Sequence, residues 1–210
     1  MANIPVKVVD WQTVEGWAEG LADRIKDSGY KVDVAIALAR GGLTPARLVS
    51  DILGIRDIIS IKVEHWVDTA EHQKEAKIKY PYAADLSGKS AIIIDDICDT
   101  GESFIISKRY VEDNFKPKSL KTAALQYIEK SSKFIPDFYS DTVRDWTWFM
   151  YPWNYWEDMI NLTLKLQVDL SSPTDVEKAF KESYGATPPI SIDEVVAEIE
   201  RRGLKPAKAD

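Results

Sequence analysis

Four apolar runs separated by helical patterns constrain this chain more than any other feature. VDVAIALARGG (32–42) is too short for a buried helix and is closed by two glycines, so it reads as a buried parallel strand. IISIKVEHW (58–66), KSAIIIDDI (89–97) and SLKTAALQYI (119–128) read as three further strands. Residues 11–28 place Val14, Trp17, Leu21 and Ile25 on one helical face, with Asp10 as cap and Gly29 as stop. Residues 44–54 offer Thr44 as N-cap, Pro45 at the first helical position and Gly54 past the end. TGESFIISKRYVEDNF (100–115) completes the helical set of this region. Strand–helix alternation predicts an α/β fold, a mainly parallel sheet flanked by helices. Ligands of such sheets bind at the carboxyl ends of the strands. ARGG and DDICDTGES, the two segments richest in chemistry, both fall at such an end.

Other stretches lie outside this alternation. Residues 67–87 are polar and weakly patterned, and a connection of that length predicts a functional loop. Beyond Pro152 three helical pieces are expected, at about 155–168, 173–184 and 192–202. Ser172-Pro173 opens the second, and Ser191 with Glu194 gives the third a capping box. The expected division is a core over 1–152 and a C-terminal helical extension over 153–210.

The formal net charge of −7 argues against a nucleic-acid partner, which needs clustered Lys and Arg. No run approaches the ~18 apolar residues of a membrane span, and the N-terminus lacks a signal-peptide pattern. One cysteine, Cys98, cannot form an internal disulfide. These features predict a soluble, cytoplasmic protein without a membrane partner. His65 and His72 have no metal-ligand spacing and read as ordinary polar residues.

The most chemical segment is IIIDDICDTGES (92–103). A buried strand delivers Asp95 and Asp96 to the sheet edge, and a tight turn then offers the amides of residues 100–103 at a helix N-terminus. Unpaired N–H groups and partial positive charge make that end an anion site. Gly101 permits close approach, while Thr100 and Ser103 add hydroxyls. Carboxylates beside a phosphate cradle make sense when the ligand carries a sugar diol between its phosphate and its reacting centre. Neither a G-x-x-x-x-G-K-[ST] nor a G-x-G-x-x-G pattern is present.

Four apolar residues, two acids and D-T-G-x-[ST] resemble the motif with which type I phosphoribosyltransferases bind PRPP (5-phosphoribosyl 1-diphosphate). The resemblance implies that Asp95 and Asp96 hold the ribose hydroxyls, and that Asp99, Thr100, Gly101, Glu102 and Ser103 wrap the 5′-phosphate, with the Glu102 side chain turned away. ARGGLTPARL (39–48) resembles the family's pyrophosphate loop, which implies a cis peptide between Ala39 and Arg40 and a role for Arg40 and the Gly41 amide in holding pyrophosphate. The 67–87 stretch corresponds in position to the family's closing loop, where Lys77 and Lys79 would reach the diphosphate. Mg²⁺ is the cofactor implied, arriving with PRPP and held mostly by substrate oxygens and water rather than by an all-protein cage.

DWTWFMYPWNYWED (145–158), with four of the seven tryptophans, resembles the base segment of bacterial and archaeal 6-oxopurine phosphoribosyltransferases. On that pattern Trp148 stacks on the base and the Phe149 backbone reads its edge, while Asn154 stands where the family usually has an acid. ALQYIEKSSKFIPDFY (124–139) resembles the stretch that supplies a lysine to the purine O6, but an ungapped match puts Glu129 there. A carboxylate accepts from an amino group and repels a keto oxygen, which favours adenine. A one-residue shift would place Lys130 there instead and restore a keto purine. Asp99 matches the 6-oxopurine branch, near purine N7, and is implied to hydrogen-bond the base and accept its proton. The expected reaction joins ribose 5-phosphate to purine N9, giving AMP or another purine nucleotide and pyrophosphate, in a homodimer. Some relatives serve as PRPP sensors in transcription regulators; such a protein needs a basic DNA-reading helix, and VEKAFKES and SIDEVVAEIERRG mix both signs. A pyrimidine or orotate enzyme is a third option, less favoured by the 148–153 segment.

Overall fold

The computed structural model describes residues 4–67, 74–166 and 168–205. The chain begins with β1 (Val6–Val8), α1 (Trp11–Asp27), β2 (Val34–Ala39), α2 (Leu43–Leu53), β3 (Asp57–Val67) and β4 (Lys74–Lys79). It continues through β5 (Ser90–Cys98), α3 (Glu102–Asn114), β6 (Ser119–Ile128), β7 (Phe138–Val143) and β8 (Trp148–Met150). The last elements are α4 (Tyr155–Lys165), α5 (Pro173–Tyr184) and α6 (Ile192–Arg201). Two compact units result. One spans Gln12–Trp146; the other joins the segment through Trp11 to the segment from Thr147 onward.

The larger unit is built on a six-stranded sheet of order β4-β3-β2-β5-β6-β7. All its neighbours are parallel except β3 and β4. The central strands β2 and β5 are apolar along their length because both faces are covered: Ala35, Ile36, Ala37 and Ala91 to Ile94 are all fully buried. Val34, Ile36, Leu38 and Ile93 pack with Phe104 and Val111 of α3 and with Phe115. The four strands read from the sequence are thus all present. Their common carboxyl edge carries Arg40 after β2 and Asp99 after β5.

Several elements differ from the sequence expectation. α2 starts with Gly42, not Thr44, as its N-cap. A Cβ at Gly42 would stand 2.9 Å from Asp95 Cα and 2.9 Å from Leu38 O, so the chain turns into the helix where only hydrogen fits. The expected 67–87 loop is in part sheet, since β3 runs to Val67 and β4 returns antiparallel from Lys74. Residues 68–73, including His72, lie outside the described residues. Strand β7 escaped the sequence reading because FYSDTV is polar; Gln126 Nε2 donates to Asp141 Oδ2 at 3.1 Å, and this side-chain bond supplements the ladder.

In the smaller unit β1 and β8 pair in parallel, Val6 opposite Trp148 and Val8 opposite Met150. Val6 and Met150 share an apolar core with Met159, Phe180, Val195 and Ile199 from the three helices. Those helices fall where the sequence put them, within three residues at each end. Ser191 is the N-cap of α6 but makes no side-chain cap bond, so the expected capping box is not formed. Trp148 to Pro152, read from the sequence with the core, fall in the same unit as these helices. No described helix is long and apolar enough to cross a membrane.

Candidate active site

Two turns meet at the carboxyl edge of the larger unit. The first follows β2: Gly42 N donates to Leu38 O (2.8 Å) and Leu43 N to Arg40 O (3.2 Å), which folds Arg40 and Gly41 back over the strand end. The Ala39–Arg40 peptide is cis, as the family resemblance implied. The second turn follows β5. A Cβ at Gly41 would stand 2.7 Å from Asp96 Cγ, so the two turns touch, and only glycine allows it. Sequence reasoning named both segments; the structure brings them together.

Asp95 and Asp96 sit side by side at this junction, Asp96 buried and Asp95 partly so. Their backbone amides are used locally: Asp96 N donates to Asp95 Oδ1 (3.0 Å) and Ile97 N to Asp96 Oδ1 (2.8 Å). Burial, and after it the neighbouring Asp96 charge, push the Asp95 carboxyl well above the usual aspartate range. Such a pair favours a partner that donates hydrogen bonds, as sugar hydroxyls do, or a cation.

The turn then runs from Asp99 to Gly101, the N-cap of α3, with φ of 82°. At this left-handed position a Cβ would approach Phe134 N and Ser132 Oγ, each at 3.0 Å. Ile105 N donates to Gly101 O (3.1 Å), so the helix ladder starts there, and the Glu102 amide in its first turn donates to Thr100 Oγ1 at 3.4 Å. Thr100 is exposed, with Glu102 and Ser103 half-buried. Residues 99–103 therefore bring backbone and hydroxyl groups to a helix start in the turn that follows the two carboxylates.

Asp99 has partners that the sequence reading missed. Ser131 Oγ donates to Asp99 Oδ1, and Trp146 Nε1 donates to Oδ2 at 3.3 Å. The turn carrying Ser131 is tied to the turn after β5 by Lys133 N donating to Thr100 O (2.9 Å). These bonds span sequence separations of 32 and 47 residues, and no local pattern announces them. Cys98, next to Asp99, is buried, and that burial pushes its thiol up to about 11, which keeps it protonated at neutral pH.

The remaining sequence candidates are more dispersed. Lys79 donates to Glu64 at 2.6 Å across the β3–β4 hairpin, with Lys62 3.6 Å from the same carboxylate. That hydrogen bond raises the Lys79 pKa and lowers that of Glu64. Lys77 is exposed on the same strand. Glu129 is exposed at the end of β6, its amide donating to Val143 O (3.0 Å), while Lys130 pairs with Asp145 at 2.6 Å. In the smaller unit, Trp148 is exposed on β8. Phe149, Tyr151 and Trp153 form a row with ring centroids 6.4 and 4.8 Å apart, and Trp11 follows at 5.9 Å.

A family model described as the phosphoribosyl transferase domain matches residues 7–156. The chain belongs to this family. Among solved structures, a purine phosphoribosyltransferase from Pyrococcus horikoshii is 29% identical, with a TM-score of 0.62 over 71% of this chain and 94% of that one. A Neisseria gonorrhoeae protein solved with bound ppGpp is 24% identical, TM-score 0.62, over 72% and 90%. A Helicobacter pylori xanthine-guanine-hypoxanthine phosphoribosyltransferase is 18% identical, TM-score 0.61, over 75% and 97%. Among the described residues no group of three or more His, Cys, Asp and Glu side chains is arranged as metal ligands. Paired carboxylates of this kind fit a magnesium ion carried by a diphosphate and water.

Proposed function

We propose that the protein transfers ribose 5-phosphate from PRPP to N9 of a purine, releasing pyrophosphate, with adenine as the favoured base and AMP as product. The observation that carries this is the contact between Gly41 and Asp96, which sets a loop suited to pyrophosphate against a pair suited to the ribose diol. The likeness to the Pyrococcus purine enzyme supports the purine class.

In this reading Asp95 and Asp96 hold the ribose hydroxyls, and residues 99–103 hold the 5′-phosphate. Arg40 and the Gly41 amide hold the departing pyrophosphate, with Lys77 and Lys79 added from the hairpin. Magnesium bound with the diphosphate supplies further positive charge against the leaving group. Asp99 hydrogen-bonds the base and accepts its proton. Little covalent chemistry falls to the chain, so positioning and electrostatics carry the rate. Trp148 and Phe149 are the proposed base-stacking and edge-reading residues.

Adenine is favoured by the chemistry around β6. The Lys130 ammonium is engaged by Asp145 at 2.6 Å, whereas Glu129 stands exposed at the strand end. A carboxylate there accepts from an exocyclic amino group. Asp99 supports a second reading, a 6-oxopurine enzyme, because that residue resembles the branch acting on keto purines. A panel of adenine, hypoxanthine, guanine, xanthine and uracil with PRPP and Mg²⁺ decides between them. Adenine turnover, shifted toward keto purines by Glu129→Lys, is expected. A polar edge that mismatches the base shifts the preference by on the order of tenfold or more. Turnover of keto purines alone in the parent overturns the adenine assignment.

A further inference from the structure

Both oxygens of the Asp99 carboxylate carry a donor. Ser131 Oγ donates to Oδ1 and Trp146 Nε1 to Oδ2. The two donors differ in how firmly they are held. Ser131 is half-buried on a turn closed by Ser132 N to Ile128 O (3.2 Å) and by Lys133 N to Thr100 O (2.9 Å), and its hydroxyl also reaches the Asp99 carbonyl at 3.4 Å. Trp146 lies between β7 and β8, is 43% exposed, and makes the longer bond, 3.3 Å. Its neighbour Asp145 is paired with Lys130, beside Ser131, and that bond draws the 145–146 stretch toward the turn.

A purine N–H that donates to Asp99 must find an oxygen to accept it. Displacing the Trp146 indole costs little, since an exposed N–H finds water at once. Displacing Ser131 would leave its half-buried hydroxyl only the longer contact to the Asp99 carbonyl, at 3.4 Å. We infer that Ser131 is a permanent positioning residue for Asp99, and that Trp146 holds the place of the purine N–H, occupying Oδ2 until the base arrives. The inference rests on the reading of Asp99 as the residue that hydrogen-bonds the base. It adds what that reading lacks: the donors that keep a lone carboxylate aimed and occupied between turnovers.

Three variants test it, each first checked for an unchanged melting temperature. Trp146→Phe keeps the ring and removes the competing N–H, so KM for the base should fall by about threefold, the scale of one exposed hydrogen bond. Ser131→Ala should lower kcat by about tenfold while leaving KM for PRPP alone, and Ser131→Thr should restore it. Asp99→Asn should lower kcat at least as far. The indole ¹⁵N–H resonance missing from Trp146→Phe identifies Trp146, and it should move when adenine with pyrophosphate is added to the parent, or hypoxanthine or guanine with pyrophosphate if the keto bases prove to be substrates. A higher base KM in Trp146→Phe would make the indole a base contact and overturn the placeholder role. Should Asp99→Asn be inactive while Ser131→Ala and Trp146→Phe match the parent, only this inference falls. Full activity in Asp99→Asn would instead remove the role of Asp99 and this inference with it.

Discussion

At the end of β5, Asp95 and Asp96 hold charge where the fold least favours it. Burial, then the Asp96 carboxylate, raise the Asp95 pKa above its ordinary 3.8. A carboxyl raised in this way lends stability below its unfolded value and withdraws it as pH rises through the folded value. Replacing Asp96 by Asn keeps an Oδ1 for the Ile97 amide but removes the repulsion. Asp96→Asn should therefore raise the unfolding free energy at pH 8 by on the order of 1 kcal/mol. The gain should shrink toward pH 4, as the raised Asp95 carboxyl takes up its proton and the repulsion falls away. Urea midpoints at the two pH values measure this, and kcat/KM for PRPP should drop by at least about tenfold, the weight of one hydrogen bond to a charged group. Lower stability at pH 8 would mean that Asp96 is held by bonds stronger than the repulsion. Residues of this kind were legible in the sequence because they are consecutive: DDICDTGES states its own chemistry. Ser131 and Trp146 were not, since their relation to Asp99 exists only once β5, β6 and the segment after β7 have been brought together.

Elements were legible in proportion to how strongly burial shapes their composition. β2 and the first part of β5 are buried and read as the unbroken apolar runs VAIALA and AIII; α5 opens on Ser172-Pro173 and stops at Gly185. The returning arm of the β3–β4 hairpin was read as a loop because KEAKIK offers only Ala76 and Ile78 as alternating apolar residues, of which Ile78 packs against the core. Recognising it as a hairpin changes what Lys79 can do. Its ammonium is bonded to Glu64, so engaging a diphosphate means giving up that pair. Solvent screens such a pair, so the barrier is small but measurable. Glu64→Gln should free Lys79 and lower KM for PRPP by about two- to threefold at low salt, the difference fading as salt screens the charge. A higher KM in this variant would show that Lys79 reaches the substrate only while Glu64 orients it.

The family match covers residues 7–156, yet the compact units do not stop there. Strands β1 and β8 belong to the matched region, while α5 and α6 lie beyond it. All four share one unit and one apolar core, with Phe180 and Val195 fully buried in the cluster that holds Val6 and Met150. The sequence placed a boundary at residue 152, where the character of the chain changes. It gave no sign that a three-residue strand near the N-terminus would pair with the base segment. A core assembled from both ends of the chain makes the C-terminal helices a support for Trp148 and Phe149 rather than a detachable appendage. Ending the chain at residue 152 strips Met159, Phe180, Val195 and Ile199 from Val6 and Met150. Each buried side chain of this size is worth about 1.5–3 kcal/mol, so the loss exceeds what β1 and β8 can bear alone. The shortened chain should aggregate or melt at least about 10 °C lower, and Phe180→Ala alone should cost about 3–5 kcal/mol. Thermal melts with gel filtration check both. A shortened chain that melts like the parent and keeps its base KM would separate the helices from the base segment after all.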